Sequence, residues 1–151
     1  MKRIIVLILC ISALCFNLVS CREGRNARRM LENFVAAYGA DGIIYSPEVG
    51  EGSDGYVYDG LMERIYVFSG SFPTNYAVFL NSRPDFYAEC AIFVCSDAVM
   101  LNTVEEMCLE RVRLLSGGAN HAFVRRSGNI CFYSTMPDRE RAEKIFSEII
   151  R

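Results

Sequence analysis

The sequence predicts an α+β domain: a mostly antiparallel sheet of four or five strands with helices on one face, in the order α-ββα-ββα behind an amino-terminal signal segment. Three observations carry this expectation. Apolar residues recur at helical spacing in three separated stretches, two pairs of runs rich in aromatic and branched residues lie between them, and turn-forming residues divide each pair.

From Asn26 to Tyr38, the residues Ala27, Met30, Leu31, Phe34 and Tyr38 fall on one helical face, and Gly39 is placed to end the helix. Asp41 to Gly60 reads as a loop, since Gly42, Pro47, Gly50, Gly52 and Gly55 are scattered among acidic residues. Leu61 to Val67 restarts ordered structure. Asn75 to Leu80 and Asp85 to Cys95 form a hairpin across Asn81-Ser82-Arg83-Pro84. In its second strand Ala88, Cys90, Ile92 and Val94 share an apolar face expected to be core, while Tyr87, Glu89, Ala91, Phe93 and Cys95 share the other.

Thr103-Val104-Glu105-Glu106 has the capping-box pattern, so a helix is expected from there to about Leu115. Val104, Cys108, Val112 and Leu115 make its apolar stripe, flanked by Met107 and Leu114, and Gly117-Gly118 ends it. Asn120 to Arg125 and Asn129 to Ser134 form a second hairpin around Arg126-Ser127-Gly128. Pro137 and Asp138 open a last helix that buries Ala142, Ile145, Phe146 and Ile149.

The amino terminus has a different character. Met1-Lys2-Arg3 precedes a nearly unbroken apolar run from Ile4 to Leu18, the pattern of a secretory signal. The run is shorter than the roughly 20 apolar residues of a membrane span. Leu18-Val19-Ser20-Cys21 resembles the bacterial lipobox, which implies cleavage after Ser20 and acyl chains on Cys21. Residues 1–20 are then the signal, 21–25 a lipidated juxtamembrane linker and 26–151 one domain. Several acyl chains on one cysteine anchor stably, at about 0.8 kcal/mol per buried methylene.

Cleavage removes Lys2 and Arg3 from the 16 basic residues and none of the 18 acids, so the remaining domain is acidic, which argues against nucleic acid as a partner. Arg22, Arg25, Arg28 and Arg29 crowd behind the anchor, either as a solvated linker and first helical turn or as a patch drawn to anionic headgroups. Cys90, Cys95, Cys108 and Cys131 remain in the domain. Outside the cytoplasm they are permitted to pair, but their apolar flanks favour buried free thiols. With no CxxC pair and a single histidine, neither a metal site nor a cofactor is implied.

Tyr76-Ala77-Val78-Phe79-Leu80, Arg83-Pro84, Ala88-Glu89-Cys90-Ala91-Ile92-Phe93, Glu110-Arg111, Ser127-Gly128-Asn129-Ile130-Cys131-Phe132-Tyr133 and Pro137-Asp138 together resemble a family of small bacterial lipoproteins, the domain of unknown function 4358. The resemblance runs from about Leu61 to the end. It implies a Gram-positive source, a lipid anchor on the outer side of the cell membrane and no established activity.

Glu89 and Arg111 are the first candidate site residues, because a sheet glutamate and a helix arginine can meet between the two layers; the plainer reading is an ion pair at the domain edge. His121 lacks a recognisable nucleophile context and is expected at a strand edge. The acidic loop lacks the regular ligand spacing of a calcium loop, while its Tyr45, Tyr56 and Tyr58 suit a contact surface. The expected function is a non-catalytic binding or interaction module of the cell envelope, with an envelope protein as partner. The alternatives are a cell-surface hydrolase and a small-ligand-binding lipoprotein.

Overall fold

A computed structural model describes residues 25–82, 87–117 and 120–151. The expected signal segment, Cys21 and Arg22 lie outside these residues, as do Arg83 and Pro84. No helix among the described residues is long and apolar enough to cross a membrane.

The described chain runs α1 (Ala27–Tyr38), β1 (Gly42–Tyr45), α2 (Leu61–Ile65), β2 (Asn75–Asn81), β3 (Glu89–Val94), α3 (Ala98–Ser116), β4 (Phe123–Ser127), β5 (Ile130–Ser134) and α4 (Arg139–Ile149). The strands form one antiparallel sheet in the order β1-β2-β3-β5-β4. The α+β class and the five-stranded antiparallel sheet agree with the sequence reading.

The helices, however, cover both faces of the sheet. On β3, Cys90 and Ile92 face α1 and α4, packing with Leu31, Phe34, Phe79, Phe132 and Phe146. Ala91 and Phe93 face the other way, toward α2 and α3, and pack with Met62, Tyr66, Val104, Met107 and Tyr133. Because strand side chains alternate, a strand buried on both sides needs apolar residues at odd and even positions alike. Ala91, Phe93 and Cys95 meet that need, so the face expected to be the lesser one is core as well.

The helix starts follow from their caps. Asn26 accepts from the Arg29 amide at 2.8 Å and Asp138 from the Arg141 amide at 3.0 Å, which satisfies donors that the first turn leaves unpaired. At α3 the cap is Asp97, which accepts from Met100 N at 2.9 Å, so this helix begins five residues before Thr103. Thr103 lies inside the helix, with its hydroxyl donating to Val99 O at 3.1 Å. Leu114, expected beside the apolar stripe, is exposed near the end of α3.

The Asp41 to Gly60 stretch, expected as loop, contains β1, an edge strand paired with β2. Beyond it the chain folds back, and Ser46 N donates to Gly55 O at 3.2 Å. Gly55 has a φ of 87° and lies so close to Ile44 O that a Cβ there would collide with the strand backbone. Glycine is required on both counts.

Candidate functional site

Two features stand out: a closed cluster around Glu89 and an open cavity beside Tyr58. Glu89 is the first residue of β3, and its odd position turns the side chain toward α3. Arg111 lies on the buried side of α3, one turn beyond Met107 and Cys108. The two meet as a bidentate pair, with Arg111 Nε donating to Glu89 Oε1 at 2.9 Å and Nη2 to Oε2 at 2.6 Å. Glu89 is 0% exposed and the Arg111 side chain 16%, so this is a buried pair between sheet and helix rather than a solvated one at the domain edge.

Three tyrosines complete the cluster. Tyr133 donates to Glu89 Oε1 and Tyr87 to Oε2, giving each carboxylate oxygen two donors. Tyr133 in turn shares a 2.6 Å hydrogen bond with Tyr66, whose ring lies under the Arg111 guanidinium at 5.8 Å. Burial, followed by the charge of Glu89, pushes the Tyr66 hydroxyl well above its ordinary range. Burial, then Tyr66 and Glu89, does the same to Tyr133. Burial alone would lower Arg111, but the hydrogen bonds and charge of Glu89 outweigh it and hold the guanidinium protonated.

This arrangement suits a strut better than a catalyst. A general base needs an oxygen free to take a substrate proton, and Arg111 with the two tyrosines already occupies both oxygens of Glu89. Tyrosines held protonated offer no nucleophile at neutral pH. His121 is half-buried before β4 and makes no hydrogen bond or ion pair with another described residue, so nothing orients it as a base. Cys90, Cys95, Cys108 and Cys131 are free and buried. Burial raises the thiols of Cys90 and Cys108 well above their usual range and that of Cys95 to about 11, which makes them unreactive.

The proposed contact tyrosines separate. Tyr45 belongs to β1 and packs against the α2–α3 side of the sheet, Tyr56 is half-buried, and Tyr58 is 45% exposed. Tyr58 lines an open cavity of about 310 Å³ together with Asp59, Met62, Glu63, Phe72 and Tyr76. Tyr76 is only 7% exposed, yet its hydroxyl bonds to no other described residue. Since every buried polar side-chain atom among the described residues has a partner, that hydroxyl reaches open space along the cavity wall.

Sequence reasoning brought Glu89 and Arg111 together but missed the tyrosines around them. Tyr87 was legible, two residues before Glu89 and therefore on the same strand face. Tyr66 and Tyr133 were not, because they arrive from elements 67 positions apart. No protein family, curated protein or solved structure matches this chain.

Proposed function

We propose that this chain is a lipid-anchored extracytoplasmic protein, related to the small lipoproteins its sequence resembles, and that its domain is a non-catalytic binding module of the cell envelope. The observation that carries the binding reading is the contrast between the two features. The polar cluster is closed by its own hydrogen bonds, whereas the cavity at Tyr58 is open, aromatic and supplied with a polar wall. Small-molecule sites combine those properties: concave, mostly apolar and holding a few directed polar groups.

The anchor reading rests on the lipobox-like string ending at Cys21, four residues before Arg25. It is tested by the mass of the mature amino-terminal peptide and by fractionating cells that express Cys21→Ser. An acylated Cys21 peptide and release of the variant from membranes are expected. Membrane retention of the variant after a salt wash contradicts lipidation.

The binding reading needs a gentler perturbation than removing residues 41–60, because that deletion would also remove β1. Tyr58→Ala in the full-length chain keeps the sheet intact. Loss of the wild-type crosslinked or co-purified species is expected, and an unchanged set counts against the cavity as the contact site.

A further inference from the structure

We infer that the cavity beside Tyr58 takes a small organic ammonium group, such as the methylated head of choline, held by aromatic rings and carboxylates. The inference rests on the binding reading above and gives it a ligand class.

The walls carry the chemistry. Three aromatic residues line it: Phe72 and Tyr76 pack edge to face with centroids 5.0 Å apart and both rest on Phe93, which fixes that wall, and Tyr58, 45% exposed, is the ring with most surface to offer a ligand. Aromatic faces attract cations through the ring quadrupole, and cages of such rings recognise quaternary ammonium ions. Asp59 and Glu63 supply negative charge at the same cavity, while no arginine or lysine lines it.

Tyr76 adds a polar group to the wall: its ring is buried, while its hydroxyl reaches the cavity. Glu63 lies near enough to act on it: burial first, and then the Glu63 charge, raises Tyr76 to about 12. The hydroxyl therefore stays neutral, able to exchange a hydrogen bond with the alcohol of choline. A volume of about 310 Å³ is at the small end for ligand pockets and suits a head group rather than an extended molecule.

The test uses the purified full-length chain and ligand-observed NMR or calorimetry. The probes are choline, tetramethylammonium and 3,3-dimethylbutan-1-ol, the neutral carbon analogue of choline. Saturable binding of both cations is expected, with the neutral analogue at least tenfold weaker. The exposed double substitution Asp59→Asn/Glu63→Gln should weaken choline about tenfold, and Tyr58→Ala severalfold. Circular dichroism melts of the variants check that the fold is kept.

Short-chain phosphatidylcholine below its micelle concentration separates two sources of the same chemistry. Tighter binding than choline points to a lipid head group, and equal or weaker binding to a free solute. Equal binding of choline and its neutral analogue overturns the ammonium assignment but leaves a binding cavity in place. No binding of any probe, or choline binding indifferent to all three substitutions, overturns the assignment as well. None of these outcomes depends on whether Cys21 is acylated.

Discussion

Replacing Arg111 by methionine isolates the energetic role of the buried cluster. The substitution keeps much of the aliphatic stem but leaves the fully buried Glu89 with only Tyr87 and Tyr133 as side-chain donors. Removing one partner of a buried pair costs about 3–5 kcal/mol, because the remaining charge keeps its desolvation penalty and loses its compensation. For a domain whose whole stability is of the order of 5–15 kcal/mol, that is a large fraction. With a urea slope of roughly 2 kcal/mol per molar, the unfolding midpoint should fall by about 2 M. The double variant Glu89→Leu/Arg111→Met removes both charges and keeps the hydrogen bond between Tyr66 and Tyr133, so it should regain at least half of the loss. Equilibrium urea unfolding of the wild type, both single variants and the double variant measures this cycle. An Arg111→Met loss below about 1 kcal/mol, or additive losses in the double variant, would refute the account, since either is the behaviour of a solvated surface pair.

Three further outcomes follow from the packing. Gly55→Ala should destabilise by about 2 kcal/mol or more, because its Cβ meets Ile44 O and its φ of 87° disfavours alanine; an unchanged melting temperature would show that the turn relaxes freely. The four domain cysteines should resist alkylation in the native state and react together in denaturant; fast native labelling of any one would contradict its burial. Alkaline pH should unfold the protein progressively. Cys95 and Tyr76 sit at about 11 and about 12 against ordinary values of 9.0 and 10.0, so the folded state holds protons that the unfolded state releases. Their contribution is complete below about pH 9 and lost as pH rises through about 11 to 12, and a melting temperature that stays level across that window would contradict it.

The elements readable from the sequence are those whose signal is local. The two main hairpins, the helix behind Asn26 and the helix behind Asp138 each combine a side-chain period with a cap or turn residue in one short window. The misread features depend on distant partners. β1 is only Gly-Ile-Ile-Tyr within a glycine-rich acidic stretch, and it becomes a strand because β2 offers an edge. The Thr103 capping box is locally sound but yields to Asp97, from which the helix gains an extra turn that buries Leu101. Glu89 disguised the second core face, since a glutamate among Ala91, Phe93 and Cys95 suggests solvent until Arg111, Tyr87 and Tyr133 arrive to satisfy it. The cavity was less legible still: Tyr58, Glu63, Phe72 and Tyr76 come from four successive segments, a loop, α2, a second loop and β2, and no periodicity relates them.

The same chain segment that hid β1 also explains how the sheet ends safely. An open strand edge invites pairing with another chain. On one side, the return of the chain at Gly55 sets its backbone against Ile44 and Ser46. On the other, β4 carries Arg125 and Arg126, which reach to opposite faces, to Glu143 of α4 at 2.8 Å and to Glu105 of α3 at 2.7 Å. Charged side chains tied down on both sides of an edge strand discourage a further strand. The Asp41 to Gly60 stretch thus divides into an edge-covering part, ending at Gly55, and a following part whose Tyr58 and Asp59 face the cavity. Stability and binding should separate along that division: Gly55→Ala lowers the melting temperature, while Tyr58→Ala leaves it unchanged and weakens the ligand. If Tyr58→Ala also unfolds the domain, the cavity wall is part of the edge cover and the division fails.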